Sequence, residues 1–179
     1  MSSSAPPASF GTLLRRFGRN RRGSVALQFA FVAPLFFGLL FAIIETALMF
    51  FANQVLETIT QNSARMILTG QAQKASYTQA QFATYVCTQV PALFNCSNIS
   101  IDVESFTSFQ SIVLTNEVDG SCNFLNNVQY TPGGPGAVVV VRLFYQWPVF
   151  VTKLGFSWAC PSKSTHLLTA TAAFKNEPY

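Results

Sequence analysis

Few side chains in this sequence are of a kind that performs chemistry, and their spacing limits what they can do. Cys87, Cys96, Cys122 and Cys160 are its only cysteines. No two stand as Cys-x-x-Cys, so neither a zinc ribbon nor a redox motif is supported. What remains for them is oxidation to two disulfides, with three possible pairings. Chain proximity favours Cys87–Cys96, and elimination then leaves Cys122–Cys160. Loop entropy puts these bridges at ~2.7 and ~4 kcal/mol. His166 is the sole histidine, which excludes a His-based metal cluster. Gly155-Phe156-Ser157-Trp158-Ala159 falls one Gly short of a nucleophile elbow, and no triad acid accompanies it. Ser157 therefore reads as structural and His166 as a strand-edge side chain. Gly133-Gly134 lacks the following Lys-Ser/Thr of a phosphate loop. Asn95-Cys96-Ser97 and Asn98-Ile99-Ser100 match a glycosylation sequon only formally. The expectation is a protein that is not an enzyme, with no cofactor and no metal.

The elements that position these residues start from a charge boundary. Arg15, Arg16, Arg19, Arg21 and Arg22 precede Gly23, and from Ser24 to Ile44 no residue is charged. The first acid is Glu45. At ~1.5 Å per residue this clean stretch alone crosses a ~30 Å hydrocarbon layer. Apolar character resumes through Leu48, Met49, Phe50 and Phe51. Cleaved secretory signals have an apolar core of only ~7–15 residues, so this run reads as an uncleaved anchor. The five arginines keep the N-terminus in the cytoplasm, and the rest of the chain lies beyond the membrane. Cysteines confined to that far side fit an oxidising compartment. The formal charge of +4 comes from the leader, because after Gly23 six Lys/Arg face seven Asp/Glu. That distribution argues against nucleic acid as a partner.

The predicted organisation has four parts: a basic cytoplasmic leader at 1–23, a transmembrane helix at 24–52, its extramembrane continuation at 53–70, and an extracytoplasmic α+β domain at 71–179. Residues 1–12 are rich in Ser, Ala, Pro and Gly and read as a disordered tail. Val55, Leu56, Ile59, Ser63, Met66 and Ile67 recur at spacings of three and four, a stripe that packs on the domain beyond the helix. Gly70 ends the helix. Thr78-x-x-Gln81 is a capping box for a helix to about Gln89 that buries Phe82, Tyr85 and Val86. Ile99, Ile101 and Val103 alternate with polar residues as in a half-buried strand. Ile112-Val113-Leu114 is read as a short strand, residues 132–136 as a turn and Ala137–Tyr145 as the best strand. Pro148–Leu154 is read as a helical turn, and Thr165–Phe174 as the last strand. A long helix followed by a small antiparallel sheet gives an α+β, pilin-like fold class.

The junction reads Arg21-Arg22-Gly23-Ser24-Val25-Ala26-Leu27-Gln28-Phe29-Ala30. A basic leader, a Gly, and an apolar helix with a polar residue five positions on is the layout of a class III signal. Here the chain resembles type IV pilin-like proteins, specifically the TadE-like family of the Tad tight-adherence pilus system. Glu45, Gln54-Val55-Leu56-Glu57, Ala64-Arg65 and the terminal Phe174-Lys175-Asn176-Glu177-Pro178-Tyr179 add to the resemblance. It implies cleavage after Gly23 by a prepilin peptidase, exposing Ser24. It also implies a minor pilin or pseudopilin of the bacterial inner membrane, partnered by other pilin-like Tad proteins. The family usually has Glu where this chain has Gln28, which can accept a hydrogen bond but supplies no charge pairing. The alternative is an unprocessed single-pass protein whose outer domain binds a ligand or surface.

Within the span, Ala26, Ala30, Pro34, Gly38, Ala42 and Thr46 recur every four residues among Phe29, Phe31, Phe36, Phe37 and Phe41. Small residues let a second helix approach closely. This ridge is the expected seam for a partner helix.

Overall fold

The computed structural model describes residues 23–121, 123–149 and 165–179. They fall into two compact units, one ending at Ile43 and the other beginning at Ile44. Helix α1 (Ser24–Leu68) contributes to both and runs unbroken through Pro34.

In the first unit the described residues are α1 up to Ile43, and their apolar side chains are bare. Leu35 is 78% exposed and Phe31 75%. Val25, Leu27, Phe29, Val32, Phe36, Leu39, Phe41 and Ile43 are exposed as well, on every side of the helix. A helix apolar all round belongs in lipid or in a large core.

In the second unit α1 changes character at Ala52, which is fully buried. Leu56, Ile59, Thr60, Ser63, Ala64 and Ile67 continue on one face, also buried. Gln54, Glu57, Gln61, Asn62 and Arg65 are exposed. The expected stripe is present, with Val55 and Met66 at its half-buried margins. Thr60 and Ala64 belong to it too. Thr60 is tolerated there because its hydroxyl donates to the Leu56 carbonyl (2.8 Å). Gly70 ends the helix as expected. Its φ of 71° is left-handed, its N–H donates to the Ile67 carbonyl (3.0 Å), and the Tyr179 ring occupies the space a Cβ would need.

A single turn, α2 (Gln71–Lys74), leads to α3 (Gln79–Thr88). The Thr78 capping box is formed: the Gln81 N–H donates to Thr78 Oγ1 (3.3 Å) and the Thr78 N–H donates to Gln81 Oε1 (2.8 Å). Phe82 and Val86 are fully buried, while Tyr85 is half-buried. Three strands come next: β1 (Ile99–Phe106), β2 (Val138–Pro148) and β3 (Thr165–Lys175). They form one antiparallel sheet in the order β1-β2-β3.

Register explains the core. Val103, Val141 and Ala172 lie abreast, as do Ile101, Leu143 and Ala170. This face shares one hydrophobic cluster with Leu56, Ile59 and Ile67 of α1 and Phe82 and Val86 of α3. At ~25 cal/mol per Å², such burial is the main force holding the unit together.

Three expectations need correction. Ile112-Val113-Leu114 is not a strand; Val113 is 78% exposed and the segment has no ladder partner. Three apolar residues that take no ladder bonds from a neighbour are too short to stand as a strand. Pro148 is not the start of a helical turn but the last residue of β2, opposite Thr165. The remainder of that expected turn, 150–154, lies outside the described residues. β1 is not half-buried at its centre, because Asp102 is fully buried on the face away from Ile101 and Val103. Thr115 and Glu117 meet that second face at Arg142, and the Phe124 ring lies against Phe144.

Candidate functional site: helix α1 and the braces of the sheet unit

Gly23 stands immediately ahead of α1, exposed and with nothing within 4 Å of where its Cβ would be. The peptide bond between Gly23 and Ser24 therefore joins an open residue to the first residue of a helix. Arg15, Arg16, Arg19, Arg21 and Arg22 lie outside the described residues. Gln28 is exposed on α1, five residues beyond Gly23.

The row Ala26, Ala30, Pro34, Gly38, Ala42 and Thr46 is carried on a regular helix. Gly38 and Ala42 are partly covered by their larger neighbours, while Ala26, Ala30, Pro34 and Thr46 are exposed. Four residues exceed one 3.6-residue turn by about 40°. The row therefore winds slowly round α1, following a ridge inclined about 26° to the axis. A partner helix meeting it would cross at an angle rather than lie parallel.

From Val25 to Phe51 is about 39 Å at 1.5 Å per residue, ahead of the first fully buried position at Ala52. Among the described residues α1 is the one helix long and apolar enough to cross a membrane, by length and composition. It has the character of a single-pass membrane anchor.

In the sheet unit, Cys87 and Cys96 are bonded, with their Cα atoms 5.6 Å apart. The bridge ties the last turn of α3 to a 3-10 turn at Cys96–Asn98 that runs straight into β1. The loop it closes carries Phe94, buried edge-on against Tyr145 (centroids 4.9 Å) and Trp147 (6.0 Å). Cys122, Cys160 and Ser157 lie outside the described residues, and so does the expected Cys122–Cys160 bridge. His166 is half-buried on edge strand β3, opposite Trp147.

One arrangement gave no local signal in the sequence. Arg142, in the middle of β2, is almost fully buried with three carboxylates around it. Its Nη2 donates to Asp102 Oδ2 (2.7 Å), Glu104 Oε1 (2.9 Å) and Glu117 Oε1 (3.3 Å). Its Nε donates to Asp102 Oδ2 (2.9 Å) and its Nη1 to the Thr115 carbonyl (3.0 Å). Asp102 also accepts the Gln129 N–H (2.7 Å) and Glu117 accepts the Asn127 N–H (3.2 Å). The cluster thus pins Thr115, Glu117 and Gln129 to the sheet. Burial pushes the Glu104 carboxyl above its usual value and the adjacent Asp102 adds to the rise, with Arg142 opposing both. The three acids reach one arginine from positions 25 to 40 residues away, so only strand register could disclose them. Among the described residues no group of His, Cys, Asp and Glu is placed to hold a metal ion.

The arrangement displays an apolar helix and braces a small sheet. Residues 23–65 match the family model described as TadE-like protein. The N-terminal segment is thus similar to that family. The match begins at Gly23 and ends at Arg65, so it takes in the bare stretch of α1 and most of the buried stripe. No curated protein and no solved structure matches the chain. The TadE-like match points to a component related to the Tad pilus, in a family that is structural rather than enzymatic.

Proposed function

We propose that this chain is a minor pilin or pseudopilin of Tad-type pilus assembly in the bacterial inner membrane. The observation that carries the reading is the TadE-like match opening at Gly23, the residue directly ahead of a bare apolar helix. In this reading a prepilin peptidase cuts between Gly23 and Ser24 at the cytoplasmic face. The freed helix then associates with other pilin-like helices along the row from Ala26 to Thr46. The leader arginines hold the N-terminus inside, and the sheet unit works in the oxidising space outside, where Cys87–Cys96 persists. Gln28 leaves the helix neutral at the fifth mature position. Its amide can receive a hydrogen bond from a neighbour's terminal amine but offers no charge to it.

Mass spectrometry of the protein from cells with and without active prepilin peptidase tests this. Ser24 as first residue, dependent on the peptidase and lost in Gly23→Leu, is the expected result. Met1 retained in peptidase-active cells would overturn processing and leave an unprocessed single-pass anchor.

A further inference from the structure

The apolar stretch of α1 does not stop where the sheet unit starts. That unit begins at Ile44, and its Ile44, Leu48, Phe50 and Phe51 are exposed. Met49, in the same turns, packs on the hydrophobic cluster of the sheet. One short length of helix is thus apolar on its open sides and joined to the core on another.

The strands show which part of the sheet meets this level. The Glu177 N–H donates to the Leu68 carbonyl (3.0 Å) and the Asn176 N–H donates to the Ala137 carbonyl (2.8 Å), so the start of β2 lies beside the end of α1. From Leu68 back to Met49 is ~29 Å of helix. From Ala137 on to Trp147 is ~33 Å of strand. Ala52, Tyr145 and Trp147 belong to the cluster on which Met49 packs, so β2 runs back along α1 and Trp147 comes level with Met49. Phe94 packs on Tyr145 and Trp147, which brings residues 91–94 to the same end. There Pro91, Ala92 and Leu93 are exposed. No residue from Ala75 to Ile101 or from Leu143 to Val149 is charged.

We infer that this end of the sheet unit rests in the headgroup layer of a lipid bilayer, with Leu93 in contact with lipid. The inference rests on α1 being a membrane anchor. The uncharged run from Ser24 to Ile44 is ~31 Å long and fills the ~30 Å hydrocarbon layer. The headgroup layer beyond it is ~5–7 Å deep, and Met49 lies only ~6 Å past Glu45. Raising the unit clear of the headgroups would put Phe50 and Phe51 in water. A loop without charge enters the layer with no ion to bury. Lipid is the occupant because the helix itself delivers it to this level.

The test uses the full chain in its membrane. With p-benzoylphenylalanine in place of Leu93, illumination should give a mass adduct with phospholipid. The same group in place of Gln71, exposed at the other end of the unit, should give none. Trp158→Phe leaves Trp147 as the one tryptophan. In vesicles of phosphatidylethanolamine and phosphatidylglycerol its emission should be quenched about twofold more by lipid carrying a nitroxide at the headgroup than by lipid carrying it at the chain end. If Trp158→Phe loses its circular dichroism, the adduct at position 93 decides. Position 93 joined to another protein or to another part of this chain, or bare of adducts, overturns the inference. So does headgroup quenching no stronger than chain-end quenching. Carbonate washing separates this from the anchor: a protein that withstands washing yet gives no lipid adduct overturns this inference alone, whereas one stripped by washing removes both. None of these outcomes depends on cleavage at Gly23.

Discussion

Arg142 is the residue on which the second face of the sheet depends. One guanidinium serves Asp102, Glu104, Glu117 and the Thr115 carbonyl. Removing it would strand Asp102 and Glu117 without their counter-charge in a site that excludes water. Arg142→Met should therefore lower unfolding stability by about 3–5 kcal/mol, read from urea titration of the protein. Glu104 has the opposite sign. Its folded pKa is raised above the ordinary 4.5, so the folded state holds its proton more tightly than the unfolded chain does. The resulting stabilisation is complete below pH 4.5 and is lost as pH rises through the folded value. Glu104→Gln should then be more stable than the parent at about pH 7, and the difference should close in acid. A Glu104→Gln protein weaker at neutrality would mean that the Arg142 attraction outweighs burial there.

At the scale of the element, α1 does two jobs with two surfaces. Up to Phe51 its large apolar side chains are bare, save Met49, which leans on the core; from Ala52 a single stripe is buried. The row of small residues belongs to the first stretch and has its effect only if a second helix is present. Gly38→Leu combined with Ala42→Leu should abolish co-purification of a pilin-like partner while leaving membrane insertion intact; unchanged association would dismiss the row. In the second stretch, Ala52, Ser63 and Ala64 keep the buried surface low beside Leu56, Ile59 and Ile67. The disulfide acts on elements too. Reducing Cys87–Cys96 frees the loop that seats Phe94 on Tyr145 and Trp147. Replacing both cysteines with serine should cost ~2.7 kcal/mol by loop entropy, measured by thermal or urea unfolding.

For the whole molecule, the proposed function requires one anchor and one outer domain. Carbonate washing should leave the protein in the membrane fraction, and a C-terminal phosphatase fusion should be active only if that end is exported. A cytosolic C-terminus would remove the compartment in which Cys87–Cys96 is kept oxidised. The sheet unit itself is closed by its far end. The Glu177 N–H donates to the Leu68 carbonyl (3.0 Å), Asn176 Nδ2 donates to the carbonyls of Pro132 and Gly134 (3.0 Å each), and the Tyr179 ring lies against Gly70. The last four residues thus join the end of α1 to the loop before β2.

What could be read from the sequence was whatever rests on neighbours along the chain. The apolar run after Gly23, the stop at Gly70, the Thr78 capping box, the run of valines in β2 and the closeness of Cys87 to Cys96 are local patterns with local causes. The α+β order of elements arises from them. Tertiary structure alone decided the rest, because strand register brings together residues that spacing cannot connect. Asp102 looked like the outward residue of a half-buried strand until β2 set Arg142 opposite it. Ile112-Val113-Leu114 looked like a strand, but the outward N–H and carbonyl of Val103 in β1 pair with Gln129 and Thr131 instead. A side chain's period along a strand says which face it is on; only the segments packed over that face decide whether it is wet or dry.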